Sequence, residues 1–327
     1  MVSLPTAYER VLELWGHSAP RATARARTAL ATLLDDLLRS EDPRAFGRSS
    51  LTMTGSPFEP ALSLVDPGLR YTVEPCCPEH VPAQERLARC LLLLARLNVS
   101  VPRPELIGTL AALQARGPLR YGAQIGARHS ESSDVYKLYV ELPREARVEA
   151  EALGHELLGG SAVLDVPGRD ARPTLLGIDL SSGKLELYYR VEHLHPLEIS
   201  TLLGRASAAE RAQEVLAMLG ASQPLPIRHV LPGATWGFSY AVGSSAEVTF
   251  SLYTFARTLF GPDGWIRAGL LAMGRRHGWD LEGYARMSEP LIGRRGLPCH
   301  HGIFGLIVPP RAAPAAWIGL APVEQRA

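Results

Sequence analysis

The chain is poor in sulfur, in bulk charge and in long apolar runs, and each shortage removes a class of protein. It has four cysteines, Cys76, Cys77, Cys90 and Cys299, none in CxxC spacing. A structural zinc site takes paired ligands at short spacing, so none is expected here. The thiols are expected to stay reduced, as in a cytosolic protein. The most apolar run, Cys90 to Ala95, is far too short to span a bilayer and sits in a charged helical pattern. The amino-terminal stretch MVSLPTAYERVLELW has no basic region followed by an apolar core, so no secretory signal is expected. Lys and Arg total 34 against 33 Asp and Glu, a net charge of +1. Binding nucleic acid by bulk electrostatics needs a large positive excess. The expected setting is therefore the cytoplasm, with no membrane and no nucleic-acid partner. Any anion site has to be local.

What is present is ordinary globular material: 327 residues, 46% hydrophobic and 20% charged. A compact chain of this length buries roughly 75% of its unfolded surface, so a single domain over 1–327 can hold a full core. Apolar residues at helical spacing predict helices over 7–15 and 22–38, 82–97 and 104–115, 144–158, 196–203 and 208–219, and 265–277 and 280–290. Period-two alternation predicts strand pairs at 57–64 and 69–74, 119–127 and 134–142, 174–180 and 184–191, 235–242 and 247–255, and 301–308 and 315–320. Asp66-Pro67-Gly68 and Ser181-Ser182-Gly183 are turn sequences between partners. Helical segments and an antiparallel pair thus alternate five times. Closing ten such strands on themselves leaves no edge. The expected fold class is α+β: a ten-stranded antiparallel β-barrel of five ααββ units with the helices outside.

The strand faces indicate what the barrel encloses. In the fourth strand Tyr136, Leu138 and Val140 oppose Lys137, Tyr139 and Glu141; in the sixth, Leu185, Leu187 and Tyr189 oppose Lys184, Glu186 and Tyr188. In the eighth, Phe250 and Leu252 oppose Thr249, Ser251 and Tyr253. Amphipathic helices must cover the apolar faces, so the polar faces line the lumen. Arg70, Lys137 and Lys184 then form a cationic set suited to a diphosphate, since charge-assisted bonds to phosphate oxygens are strong. Tyr139, Tyr188 and Tyr253 add hydroxyl donors, ring faces that stabilise a carbocation, and a screen against water. Glu59, at the start of an otherwise apolar strand, is placed to accept a proton from an attacking aromatic ring. His300 and His301 are adjacent, so on a strand they point to opposite faces and cannot simply chelate together. No metal site is expected there, and His301 is taken to line the lumen.

These residues resemble those of the aromatic prenyltransferases of the ABBA type, whose fold is five ααββ units closing a ten-stranded barrel. The closer similarity, over most of the chain, is to the indole prenyltransferases of the dimethylallyltryptophan synthase group, especially the short bacterial members. Gly55-Ser56-Pro57-Phe58-Glu59 fits the family's Gly-x-Pro-x-Glu stretch, which implies that Glu59 contacts the indole nitrogen. Leu69-Arg70-Tyr71 implies a diphosphate contact for Arg70, as do Lys137-x-Tyr139, Lys184, Tyr188 and Tyr253 in the later strands. Gln124, Glu186 and Ser251 fall at substrate-lining positions but depart from the family pattern. Gln124 stands where fungal members often carry a lysine, Glu186 where a second lysine is expected, and Ser251 where an amide is usual.

The cage is thus less cationic than in relatives. Glu186 could help hold a Mg²⁺, or could pair with Lys184 or Arg190. The resemblance implies transfer of a dimethylallyl group from dimethylallyl diphosphate to the indole of tryptophan, a derivative or a tryptophan-containing peptide, with no cofactor required. Tyrosine or another side chain of a ribosomal peptide is the alternative acceptor. A barrel that carries a hydrophobic anion without turnover is the non-enzyme alternative.

Overall fold

The computed structural model describes residues 3–17, 19–42, 44–64, 68–76, 79–101, 103–157, 171–220, 230–243 and 247–323. Ten strands close into one antiparallel barrel: β1 (Phe58–Ser63), β2 (Leu69–Val73), β3 (Ala123–His129), β4 (Asp134–Glu141), β5 (Arg172–Asp179), β6 (Leu185–Glu192), β7 (Thr235–Val242), β8 (Val248–Phe255), β9 (His301–Val308) and β10 (Ala315–Leu320). Each pairs with its sequence neighbours, and β10 returns to β1. The helices lie between the strand pairs, at Thr6–Gly16 and Pro20–Leu33, Arg86–Arg96 and Pro104–Gln114, Arg147–Leu157, Pro196–Gly204 and Ala212–Gly220, and Asp263–His277 and Glu282–Met287. No helix among the described residues is long and apolar enough to cross a membrane. Cys76, Cys90 and Cys299 are buried free thiols, and Cys77 lies outside the described residues. So does most of the Asp66-Pro67-Gly68 turn.

The core sits between the barrel wall and the helices. Tyr136, Leu138, Val140, Leu185, Leu187, Tyr189, Phe250 and Leu252 are all buried there, as their alternation predicts. Trp236, Phe238 and Tyr240 join them: Tyr189 stacks on Phe238, and the Tyr240 hydroxyl donates to the Leu202 carbonyl of the covering helix at 2.9 Å. The other face of the strands turns inward, except at the start of β9, where the register against β10 shifts between Ile318 and Leu320.

Three boundaries differ from expectation for local reasons. The helix expected over 22–38 breaks at Leu34, where Asp35 and Asp36 turn to ion pairs with Arg39, Arg96 and Arg89. The third strand begins at Ala123 and not at Leu119, because the Glu141 carboxylate gathers the backbone N–H groups of Arg120, Tyr121 and Gly122 into a turn. A short helix, Ala256–Phe260, follows β8 directly and has no counterpart in the expected pattern.

Candidate active site

Cross-strand register shows which residues share the inner face. One row of direct partners runs Glu59, Thr72, Gly126, Lys137, Asp179 across β1 to β5. A second runs Gln124, Tyr139, Gly177, Glu186, Ala241 across β3 to β7, and a third runs Tyr188, Ser239, Ser251, Ile307 across β6 to β9. Directly opposed residues on adjacent strands point the same way, so these rows line one enclosed chamber. Arg70 is on the same face of β2 as Thr72, Lys184 precedes Glu186 by two residues, and Tyr253 lies across from Gly237.

Lys137 is the centre of the polar set. Its ammonium is paired with the Glu186 carboxylate and donates to the Tyr188 hydroxyl at 3.0 Å. It also lies 5.2 Å from the ring centroid of Tyr139 and 5.3 Å from that of Tyr188, within cation–π range. Burial works against its charge, but Glu186, with Tyr139 and Asp179 nearby, holds the lysine pKa above its ordinary value. Burial likewise opposes the Glu186 charge, and Lys137, Ser239 and Tyr188 overcome it, leaving that carboxyl below its ordinary value. Neither Lys184 nor Arg190 takes Glu186 as an ion-pair partner. Its two oxygens meet an ammonium and the Ser239 hydroxyl, donors both, so the residues around it do not fit a divalent cation.

Tyr139, Tyr188 and Tyr253 form a chain of edge-to-face rings with centroids 6.0 and 6.1 Å apart. Each ring lies flat on the wall because the neighbouring strand offers a glycine. A Cβ on Gly126 would come within 2.8 Å of Tyr139, and one on Gly237 within 2.0 Å of Tyr253. Gly177 clears a path for Lys137, whose Cε would lie 2.5 Å from an added Cβ.

Glu59 occupies a different setting. It is buried, accepts no hydrogen bond from any described residue, and loss of water alone pushes its pKa up to about 8. Its carboxyl fits a slot between Gly302 of β9 and Gly319 of β10: a Cβ would fall 2.0 Å from its Oε1 at the first and 2.6 Å from its Cδ at the second. The close approach of two backbones is what glycine allows here.

His301 does not line the lumen. Its side chain lies on the helix side, where Nδ1 donates to Asp263 at 2.7 Å and Nε2 meets the Tyr284 hydroxyl at 2.9 Å. Asp263 also takes the backbone N–H groups of His300 and His301 and the Cys299 thiol, and this clamp turns the ring outward. Asp263, Cys299 and His301 are the one group among the described residues close enough together to hold a metal ion. They do not fit one well: burial and the adjacent Asp263 push the Cys299 thiol up to about 12, so it stays protonated and donates.

Two inward residues escaped the sequence reading. Arg128 sits directly across from Arg70, and Trp317 of β10 lies over Gly305 as the tyrosines lie over their glycines. A count of lysines points to the chamber too. Lys137 and Lys184 are the only two in the chain; Lys137 is on the inward face of β4, and Lys184 directly precedes β6, two residues before the inward Glu186.

No sequence-family profile matches the chain, and no curated protein matches it in sequence. Solved structures do match in fold. The 5-dimethylallyltryptophan synthase from Streptomyces coelicolor superposes with a TM-score of 0.79 at 17% identity, covering 98% of this chain and 97% of that one. The 6-dimethylallyltryptophan synthase from Micromonospora olivasterospora, in complex with DMASPP and Trp, gives 0.75 at 19%, covering 98% of both chains. The prenyltransferase PriB, in a ternary complex with L-tryptophan and dimethylallyl thiolodiphosphate, gives 0.75 at 18%, covering 96% of this chain and 95% of its own. This chain therefore shares the barrel of the bacterial indole prenyltransferases.

Proposed function

We propose that the whole chain, as one barrel domain in the cytoplasm, is an aromatic prenyltransferase. It moves a dimethylallyl group from dimethylallyl diphosphate to the indole of tryptophan, a derivative or a tryptophan-containing peptide. The observation that carries this reading is the content of the closed chamber. An unbonded, desolvated carboxyl (Glu59) shares it with an ammonium flanked by two tyrosine rings (Lys137). Those are the parts that an electrophilic aromatic substitution through an allylic cation requires.

The steps follow from the residues. Arg70, Lys137 and Lys184, with Tyr139, Tyr188 and Tyr253, hold the diphosphate and stabilise the charge that builds on it as the C–O bond breaks. The ring faces of the tyrosines stabilise the allylic cation and keep water from it, by about 2 kcal/mol or more for a desolvated contact. The indole attacks the cation through carbon, and Glu59 orients the ring and accepts the proton. Gln124 and Ser251 shape the acceptor side. The likeness in fold to a prenyltransferase solved with L-tryptophan and dimethylallyl thiolodiphosphate supports this choice of donor and acceptor.

The test is incubation of the purified chain with dimethylallyl diphosphate and a panel of indoles, tyrosine derivatives and tryptophan- or tyrosine-containing peptides. A prenylated indole is expected, at a rate that climbs as pH rises toward 8 and Glu59 ionises. Glu59→Gln should lower kcat by about 10²-fold or more, the usual share of a positioned base, with donor binding intact. No product from any acceptor would remove the reading.

A further inference from the structure

Lys137 is committed before any ligand arrives. Its ammonium is paired with Glu186 and bonded to the Tyr188 hydroxyl, and the other Glu186 oxygen takes the Ser239 hydroxyl. The charged and titratable groups facing this pair are Tyr139 on β4, Asp179 on β5, Lys184 and Tyr188 on β6, and Tyr253 on β8. Asp179 is itself occupied, since its Oδ1 accepts the N–H groups of Ser181 and Ser182 in the hairpin turn. At the middle of the inner wall, then, one ammonium and one carboxylate already neutralise each other.

A diphosphate gripped by Lys137 and Tyr188 arrives within a few ångströms of the Glu186 carboxylate. Two oxyanions then compete for one ammonium in a chamber with little water. Like charges so placed cannot both persist at low cost: the diphosphate keeps Arg70 and Lys184 as partners, whereas Glu186 gives up the ammonium it is paired with, so the carboxylate is the group driven to take a proton. A carboxylic acid at this position would also change from an acceptor into a donor toward phosphate oxygen.

We propose that binding of the prenyl diphosphate is coupled to protonation of Glu186. The diphosphate takes over the Lys137 ammonium, and the released carboxyl binds one proton from solvent. No bond in the donor is made or broken in this step. The inference rests on the prenyltransferase reading for the location of the diphosphate, and it adds a pH-dependent control of donor affinity built from this chain's own departure at position 186.

The measurement is calorimetric titration of the full chain with inorganic pyrophosphate in EDTA, repeated in buffers of different ionisation enthalpy between pH 6.5 and 8. Pyrophosphate changes its own protonation over this range, so the comparison is between the natural chain and Glu186→Gln, which subtracts the protons that free pyrophosphate carries. The natural chain should take up close to one more proton per pyrophosphate bound. Its affinity relative to the variant should fall by about tenfold per pH unit. Ser239→Ala serves as the second variant. It removes a donor from the carboxylate form, so coupled protonation makes it bind pyrophosphate more tightly at pH 8, whereas a merely structural Ser239 makes binding weaker. Equal proton counts and parallel pH profiles would overturn the coupling and leave the prenyltransferase reading standing. Binding that appears only when Mg²⁺ replaces EDTA would also overturn it, since a cation and not a proton would then neutralise Glu186. No pyrophosphate binding under either condition would remove both.

Discussion

Two buried acids in this chain are tuned in opposite directions, and each can be read in a pH titration of stability. Glu59 has lost its water and gained no donor, so its folded pKa is about 8 in place of 4.5. A group raised in this way contributes stability that is fully present below its unfolded pKa and lost as pH rises through its folded one. A shift of this size corresponds to roughly 4 to 5 kcal/mol, at about 1.4 per pKa unit. Glu59→Gln should therefore gain stability relative to the natural chain between pH 6 and pH 9, by about 2 to 3 kcal/mol because part of the loss already falls below pH 6, in denaturant titrations at the two pH values. A gap that stays constant with pH would mean that the carboxyl is hydrated. Asp263 is the reverse case. Burial opposes its charge, but the His301 ring, the Cys299 thiol and two backbone N–H groups hold it well below the ordinary range. Its contribution is present above the unfolded pKa and lost only in strong acid. Asp263→Ala strands those donors in the core and should cost about 3 to 5 kcal/mol at neutral pH. Urea denaturation monitored by tryptophan fluorescence measures it.

At the scale of the strand, the inner wall is built by pairing a glycine on one strand with a large side chain on the next. Gly126 accommodates Tyr139, Gly237 accommodates Tyr253, and Gly305 accommodates Trp317. A Cβ at position 237 would stand 2.0 Å from Cε2 and 2.2 Å from Cζ of Tyr253, so Gly237→Ala must swing the ring off the wall and into the chamber. The expected cost is about 1 to 3 kcal/mol, typical of overpacking. Tyr253→Leu in the Gly237→Ala background should recover most of it, so a double-mutant cycle read by thermal denaturation should show strong coupling. Additive effects would mean that the ring does not rest on that glycine. The same pairings explain what was legible in the sequence and what was not. The bounds of β7, β9 and β10 were legible to the residue, and β7 most plainly, because it is apolar on the helix side and small or polar on the other. Arg70, Lys137 and Glu186 could be assigned to one face by parity alone. Trp317 could not, because an aromatic amid the apolar residues of β10 reads as core until the glycine opposite it is known. His301 was misassigned because its face depends on Asp263, thirty-eight residues away in another element, and no local pattern carries that contact.

At the scale of the whole molecule, the site exists only when the ring of strands is complete. Glu59 belongs to the first strand, but its slot is cut from the last two, at Gly302 and Gly319. The seam between β1 and β10 is short, with three Cα partner pairs: Ala61 with Gly319, Leu62 with Ile318 and Ser63 with Trp317. The β6–β7 junction has eight. Every other junction joins strands close in sequence, whereas this one closes a loop of about 250 residues, and the entropy of closure rises with the logarithm of loop length. Late formation of the seam follows, after the local hairpins have paired. Ile318 is fully buried beside it, and Ile318→Ala should cost about 2 to 5 kcal/mol. If the seam is absent from the transition state, that loss falls on the unfolding rate, which should rise by about 30-fold or more while the folding rate stays nearly constant. Leu187→Ala, in the β5–β6 hairpin, should instead slow folding. Stopped-flow chevrons of the two variants separate these cases, and a folding rate lowered as much by Ile318→Ala as by Leu187→Ala would place the seam early. Late closure has a further consequence for activity. During refolding from denaturant, β-sheet circular dichroism should recover before the proposed prenyl transfer does, because the hairpins that carry Lys137, Glu186 and the tyrosines form before the junction that seats Glu59.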